Sequence, residues 1–392
     1  LSLVILIELL PLLYYKYTNF TLDILNHLLQ SNFAPLQLLL PIGISFYTFQ
    51  AISYTVDVYK ERFPKATGLL EYTFYLTFFP LLIAGPITRA KILIPQIDAP
   101  QPNNKQLINT GLWLIICGLL KKALVADYLA QYNNWIFADP LAYTGFENLM
   151  GVLGFTLQIY CDFSGYSDMA IGIAALMGFQ LPNNFNSPYQ SLNLTEFWHR
   201  WHITLSQWFR DYVYIPLGGN RKGELKTYRN TFITMIVAGL WHGASGMFVL
   251  WGFLHGIGLT IHKFFQNRGF SKVHNTIYVK AICWTITFTY ISVAWVFFRS
   301  QDLSTAFSII GKITTDLHFV DVQNFINTRL LWIMLLAVSL ELHSIRQSDY
   351  KWLQQKFISL PWLAKLMIFL LVLQLVINLS QNSVQPFIYT RF

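Results

Sequence analysis

Histidine, arginine and tryptophan side chains are concentrated in one stretch of this sequence, between segments that are strongly apolar. The stretch includes Phe-Trp-His-Arg-Trp-His at 197–202 and Gly-Leu-Trp-His-Gly at 239–243. An ionisable group at membrane depth is costly, so it marks a functional site by default. A neutral imidazole can take a proton from a hydroxyl and return it to a leaving group. We therefore predict an acid–base site among these histidines.

His242 is the first candidate for the general base, because it follows the apolar run 232–240 and glycines flank it, which permits close approach of a substrate. On this residue alone, a structural histidine bonded to a neighbouring carbonyl is an equally good interpretation. His202 is the second candidate, and it would orient or polarise the substrate or form a cap. His255 carries less weight, because an unbroken helix would place it nearly opposite His242.

Several charged side chains are candidate substrate contacts. Arg200, Arg210 and Arg221 could bind the phosphates of a donor, although the Gly-Gly-Asn-Arg turn at 218–221 could equally be a tight loop. Asp162 and Asp168 lie in a mostly apolar stretch and need partners, for which we predict Arg200 or Arg210. The same acids could mark the ion path of a transporter, so that class of protein stays open.

Other chemistries have little support in the sequence. His199 and His202 have a spacing that metal sites use, but the remaining histidines are scattered. Cys117, Cys161 and Cys283 are far apart and form no Cys-x-x-Cys pair. We predict neither a metal site nor a disulfide framework, and we find no nucleophile elbow or phosphate loop.

The composition indicates that lipid is the solvent of this chain. Only 12% of the 392 residues are charged and 54% are hydrophobic, with a mean hydropathy of +0.42, whereas soluble domains carry about 25% charged residues. The net charge of +8 resides in short loops, a pattern typical of cytoplasmic loops and of contact with anionic head groups rather than nucleic acid. We predict an all-α, polytopic helical membrane protein.

Spanning helices need about 20 mostly apolar residues each. The candidates lie at 1–15, 36–56, 69–87, 107–125, 149–178, 230–262, 281–298, 329–345 and 362–380. We expect about nine to eleven passes in one membrane-embedded domain over 1–392, because 230–262 could be two spans or a broken one. Loop charges place 126–148 outside and the basic loops near 89–105 and 221–229 in the cytoplasm. The chain starts at Leu1, and we expect that further spans precede it.

Segment 195–215 predicts an amphipathic helix rather than a spanning one. Its apolar stripe includes Trp201 and Trp208, and its polar stripe includes His202 and Arg210. Thr195 is the predicted N-cap, and Asn193 is the alternative, with Glu196 at the capping-box position. Such a helix lies in the membrane interface or lines a wet cavity, and a solvated surface helix is the alternative interpretation.

Taken together, the motifs resemble the membrane-bound O-acyltransferase superfamily, and most closely its bacterial alginate O-acetyltransferase branch. The resemblance covers nearly the whole chain in order. The matching segments are 41–49, 54–59, 79–86, Cys-Asp-Phe-Ser-Gly-Tyr-Ser-Asp at 161–168, Asn-Phe-Asn-Ser-Pro at 184–188, 197–205, 211–221, Gly-Leu-Trp-His-Gly at 239–243 and Pro-Phe-Ile-Tyr at 386–389.

The resemblance implies that His242 and His202 are the catalytic histidines, in a helical bundle with re-entrant or interfacial helices around a central funnel. It implies acetyl-CoA as the donor, an exported polysaccharide such as alginate as the acceptor, and an extracytoplasmic partner of the SGNH-hydrolase type. The chain itself is expected in the bacterial plasma membrane. The predicted substrate-binding residues are Arg200, Arg210, Arg221, Trp241, Asp162 and Asn184. The alternatives are teichoic acid D-alanylation, peptidoglycan O-acetylation, or a polysaccharide transporter or scaffold.

Overall fold

The computed structural model describes residues 1–63, 68–99, 104–269, 276–318 and 322–379. Over these ranges the regular structure is helical and contains no strand, so the all-α prediction is confirmed. The motif at 386–389 lies outside the described residues.

The helices vary widely in length, and many apolar runs are divided into shorter pieces. They are α1 Ser2–Leu12, α2 Thr18–Leu29, α3 Ile44–Tyr59, α4 Leu69–Thr77, α5 Phe79–Leu82, α6 Ala90–Asp98, α7 Lys105–Leu119, α8 Asp127–Ala138, α9 Gly145–Leu176, α10 Leu194–Arg200, α11 Ile203–Phe209, α12 Glu224–His242, α13 Gly246–Asn267, α14 Ile277–Arg299, α15 Leu303–Thr315, α16 Val322–Thr328, α17 Leu330–Ser344, α18 Gln347–Ser359 and α19 Trp362–Leu379. Three π-helical segments, Leu13–Tyr17, Leu120–Ala126 and Arg210–Tyr214, continue α1, α7 and α11.

The centre of the fold is the long helix α9, which packs antiparallel along α7. Glycines allow this close approach, since a Cβ added at Gly111 would lie 2.7 Å from the carbonyl oxygen of Gly172. One at Gly118 would lie 2.6 Å from the carbonyl oxygen of Gly165. Small residues at helix interfaces are how helices associate where lipid removes the hydrophobic driving force.

Helices α12 and α13 form a tight antiparallel hairpin. A Cβ on Gly239 would meet the carbonyl oxygen of Phe248, and one on Gly252 would meet that of Met235. Gly243 is extended at the end of α12, and the Ser245 side chain caps α13 by accepting from the amide of Met247. The predicted run 230–262 is therefore two helices.

Three of the described helices are long and apolar enough to cross a membrane, namely Ser2–Leu29, Gly246–Asn267 and Ile277–Arg299. Two further pairs qualify only if each bent pair is one span: Val322–Thr328 with Leu330–Ser344, bent by 89°, and Gln347–Ser359 with Trp362–Asn378, bent by 117°. These three to five spans are fewer than the nine to eleven predicted. Breaks and polar residues shorten the other apolar runs, and the molecule is a multi-pass membrane protein.

The continuous helix predicted over 195–215 is wrong. The chain forms α10 and α11, and between them His202 adopts a left-handed backbone with φ 41°. Asn193, the alternative cap, is the true N-cap of α10, since its side chain accepts from the amide of Glu196. Thr195 instead contacts His262. The break removes His202 from the predicted polar stripe and buries it.

Candidate active site

His242 is the last residue of α12 and is only 3% exposed. Three aromatic rings surround its imidazole, with centroid distances of 5.0 Å to Trp241, 4.9 Å to Trp251 and 5.4 Å to Phe298. The hairpin and α14 supply these rings. A histidine in such surroundings lies in a water-poor space, where proton transfer and charge stabilisation are strengthened.

His202 is completely buried at the break between α10 and α11. Its imidazole packs edge-on against Phe163 of α9, with ring centroids 4.5 Å apart. Its Nδ1 lies 3.0 Å from the side-chain oxygen of Asn184. Because a non-glycine residue in the left-handed region is strained, this contact and the surrounding packing must hold the conformation.

The hydrogen bonds of Asn184 fix the tautomer of His202. The Asn184 oxygen also accepts from the backbone amide and the hydroxyl of Thr204, at 3.3 and 3.0 Å. A backbone amide can only donate, so this atom is the amide oxygen and His202 Nδ1 must donate to it. In the neutral His202 ring, Nε2 then carries the lone pair. The side-chain nitrogen of Asn184, Nδ2, donates to the hydroxyl oxygen of Ser167 at 3.3 Å.

The fold brings His202 and His242 to one buried cluster, although they lie far apart in the sequence. Both contact Trp241, whose ring centroid lies 6.3 Å from that of His202 and 5.0 Å from that of His242. Trp241 is 5% exposed and also stacks on Phe49 at 5.2 Å.

His255 also joins this cluster, contrary to the lower weight that its spacing suggests. The turn between α12 and α13 reverses the chain, so that His255 lies across the ring of Trp251, 4.7 Å from its centroid, while His242 contacts the same ring. The Trp198 indole donates to His255 Nδ1 at 3.3 Å. The prediction gave His255 less weight because an unbroken helix would place it nearly opposite His242, and the helix is broken between them.

The three predicted arginines lie nearer to solvent than the histidines. The Arg200 side chain, 29% exposed, pairs with Glu196 at 2.8 Å, and the Arg210 side chain, 60% exposed, pairs with Asp211 at 2.8 Å. Arg221 is exposed on its turn. They therefore stand apart from the buried cluster, and their part in donor binding stays a prediction.

The predicted arginine partners of Asp162 and Asp168 are wrong. Asp162 pairs with Lys122 at 2.7 Å, and Asp168 pairs with Lys121 at 2.6 Å. Both lysines lie in the π-helical segment Leu120–Ala126 that continues α7. The acids face that segment because α7 packs along α9, and ion pairing compensates charges that lipid would not solvate. This geometry indicates a structural role for Asp162, and its predicted substrate contact stays untested.

Sequence reasoning missed Lys16, which reaches the His242 end of α12. Its Nζ donates to the carbonyl oxygens of Trp241 and His242 at 2.7 and 3.1 Å. The available signal was a single lysine within the apolar N-terminal run, since an intramembrane charge is a functional candidate by default.

Comparison with known proteins places these features in context. Residues 44–299 match the model of the membrane-bound O-acyltransferase family. A probable alginate O-acetylase AlgI from Pseudomonas aeruginosa is 43% identical over 77% of this chain and 58% of its own length. A peptidoglycan O-acetyltransferase from Helicobacter pylori is 40% identical over 76% of this chain and 61% of its own length. A probable alginate O-acetylase AlgI from Azotobacter vinelandii is 35% identical over 100% of this chain and 84% of its own length. The chain thus spans about three fifths of the first two relatives.

Proposed function

Because the chain belongs to the membrane-bound O-acyltransferase family, we propose that it is an enzyme that transfers an acetyl group from acetyl-CoA to a hydroxyl, with His242 as the general base. The observation that carries the proposal is the position of His242, buried at a helix end beside Trp241, whose ring His202 also contacts. The matched region 44–299 contains both histidines.

The proposed reaction is a single acyl transfer. The acceptor hydroxyl oxygen attacks the thioester carbonyl carbon while His242 takes the hydroxyl proton. The carbon–sulfur bond then breaks, and the proton passes from His242 to the leaving thiolate, giving an ester and a free thiol. A positioned base of this kind contributes roughly 10²–10⁴-fold to the rate. Holding donor and acceptor together in a dry site supplies more through proximity.

His202 orients the acceptor in this scheme. Its Nδ1–H is engaged by Asn184, so the Nε2 lone pair accepts a hydrogen bond from a substrate hydroxyl. Asn184 therefore serves the substrate through His202 rather than by direct contact, and it is a positioning residue.

The indole N–H groups of Trp241 and Trp251 are suited to stabilise the tetrahedral oxyanion. Both flank His242, at centroid distances of 5.0 and 4.9 Å. Within the described part of the chain, both Nε1 atoms are buried without a hydrogen-bond partner. Donors that are already desolvated stabilise a developing negative charge without further reorganisation. This gives Trp241 a direct place in substrate binding.

The proposed acceptor is an exported polysaccharide such as alginate, and the proposed location is the bacterial inner membrane. The support is the naming of the relatives from Pseudomonas aeruginosa and Azotobacter vinelandii as probable alginate O-acetylases. An extracytoplasmic acetyltransferase of the SGNH-hydrolase type is the proposed partner, and its hydroxyl would be the first acceptor of the acetyl group before the polysaccharide. Arg200, Arg210 and Arg221 would attract the donor phosphates.

Peptidoglycan is the second candidate acceptor. The Helicobacter pylori relative, 40% identical, is named a peptidoglycan O-acetyltransferase. The donor chemistry and the role of His242 are the same for both acceptors. The two candidates therefore differ in the product that carries the acetyl group and not in the buried histidine cluster.

The test is acetyl transfer from radiolabelled acetyl-CoA in membranes that contain the protein, its partner and either acceptor. We expect His242→Ala and His242→Gln to lose at least about 10²-fold in rate, because each removes the base. His262→Ala is the matched control, since His262 lies in the adjacent α13 and contacts Thr195 rather than the cluster. It should keep its activity.

Label found in alginate or in peptidoglycan identifies the acceptor. Equal transfer by wild type and His242→Gln, at equal amounts of folded protein, would show that His242 is structural. Transfer by neither protein, with an active partner present, would refute the proposed donor.

A further inference from the structure

The end of α12 is bonded from outside the helix. The last four carbonyl groups of a helix have no amide partner within it. The Tyr17 hydroxyl donates to the carbonyl oxygen of Leu240 at 2.7 Å. The Lys16 ammonium donates to the carbonyl oxygens of Trp241 at 2.7 Å and His242 at 3.1 Å. Two neighbouring side chains of the N-terminal segment thus bind three consecutive carbonyls at the histidine end.

The Lys16 ammonium is fully used in this contact. An ammonium has three donors and no acceptor, and Ser45 Oγ at 3.4 Å is the third partner after the two carbonyls. The group therefore serves as a hydrogen-bond donor to the end of α12. A positive charge at a helix C-terminus is favourable, because the carbonyl dipoles concentrate negative charge there.

The contact of Lys16 with the end of α12 lies at His242, the proposed base. His242 is the final residue of α12, and extended Gly243 follows it, so no further helical turn holds the imidazole. In lipid an unsatisfied carbonyl is strongly destabilising, because no water can bond to it. Without Lys16, the last turn of α12 would rearrange to satisfy these carbonyls, and the His242 side chain would move with it.

We propose that Lys16 and Tyr17 are positioning residues that hold His242 in its reactive place by capping the C-terminal end of α12. The inference rests on the proposed role of His242 as the base. Both residues lie in the π-helical segment Leu13–Tyr17, outside the family-matched region 44–299. An N-terminal segment therefore completes a site whose histidines lie elsewhere in the sequence.

The test compares Lys16→Met, Lys16→Arg and Tyr17→Phe in the full chain, purified with its partner. We expect Lys16→Met to lower kcat on the order of 10²-fold, as small misplacements of catalytic groups do, with little change in KM for acetyl-CoA. Lys16→Arg retains the charge and the donors and should restore most of this loss. Tyr17→Phe removes one bond and should have a smaller effect on kcat.

Lys365 provides a matched control. It is 7% exposed, and its Nζ donates to the carbonyl oxygen of Ile358 near the end of α18 and to Asn109, at 2.8 and 2.7 Å. Lys365→Met removes the same chemistry from a different helix end, so it should lower stability while kcat per folded molecule is unchanged. Amide hydrogen exchange provides a readout independent of activity, and exchange over 239–243 should rise in Lys16→Met but not in Lys365→Met.

The outcomes separate the two proposals. Unchanged kcat in folded Lys16→Met, or a loss of kcat that Lys16→Arg does not restore, overturns the positioning role. Unchanged exchange over 239–243 in Lys16→Met also overturns it, whatever the activity. If wild type transfers no acetyl group but Lys16→Met raises exchange there, the capping contact stands and the proposed function fails.

Discussion

Asn184 determines which ring nitrogen of His202 carries the proton. Its side-chain oxygen accepts from His202 Nδ1 at 3.0 Å and from Thr204 at two positions. Asn184→Ala leaves these donors buried without an acceptor, which costs about 1–3 kcal/mol, and it frees the His202 ring to change tautomer. We expect a lower melting temperature together with a lower kcat, measured by thermal unfolding in detergent and by acetyl transfer.

A control separates the two effects of this substitution. Asn148 is equally buried, and its side-chain nitrogen donates to three carbonyls, those of Pro140, Tyr143 and Thr144. Asn148→Ala should lower the melting temperature while kcat per folded molecule stays constant. If Asn184→Ala shows the same pattern as Asn148→Ala, Asn184 does not act through His202.

The hairpin of α12 and α13 fixes the direction in which His242 faces its aromatic neighbours. Gly239→Ala places a methyl group against the backbone carbonyl of Phe248, and backbone cannot yield as a flexible side chain can. Overpacking of this kind costs roughly 1–3 kcal/mol. We expect Gly239→Ala to lower the melting temperature and to reduce acetyl transfer by moving the end of α12.

Gly246 provides a control substitution for Gly239→Ala in the hairpin of α12 and α13. It starts α13, and a Cβ there meets nothing within 4 Å. Gly246→Ala should leave stability unchanged or slightly raised, because alanine favours the helix over glycine by roughly 0.5–1 kcal/mol. Equal stability of Gly239→Ala and wild type would show that the hairpin tolerates a wider separation.

At the largest scale, the arrangement of α7 and α8 predicts part of the membrane topology. With the π segment between them, they form a helical run over 105–138 that packs antiparallel to α9. The run is not among the helices whose length and composition mark them as spans. At about 1.5 Å per residue it is nevertheless on the order of 50 Å long, which is comparable with a bilayer of roughly 45 Å with its head groups, and we predict that it crosses the membrane. Lys105 and Ala142, both exposed, should therefore lie on opposite sides of the membrane.

Cysteine labelling measures this topology. In a background whose three native cysteines are replaced by alanine, an impermeant maleimide should label Ala142→Cys in intact cells. Lys105→Cys should be labelled only after permeabilisation, because basic loops remain in the cytoplasm. Labelling of both positions in intact cells would contradict the crossing.

The class of protein, its family and the candidate histidines could all be predicted from the amino-acid sequence. Low charge and long apolar runs require a helical membrane protein, because only internally hydrogen-bonded backbone is stable in lipid. His242 and His202 stand out because ionisable groups are rare in such runs. The Asn193 cap was available from the sequence only as the alternative to Thr195, since a capping signal involves residues within one turn and both positions carry one.

Which side chains from distant parts of the sequence contact each other depends on the tertiary structure. The helix break at His202, the lysine partners of Asp162 and Asp168, and the reach of Lys16 across 226 residues to His242 were not predictable. Helical periodicity describes a few neighbouring turns, whereas each of these features depends on which helix packs beside another. His255 lies in the cluster because the chain reverses direction at the three-residue break between α12 and α13. Helical periodicity could not show this, since it describes one continuous helix.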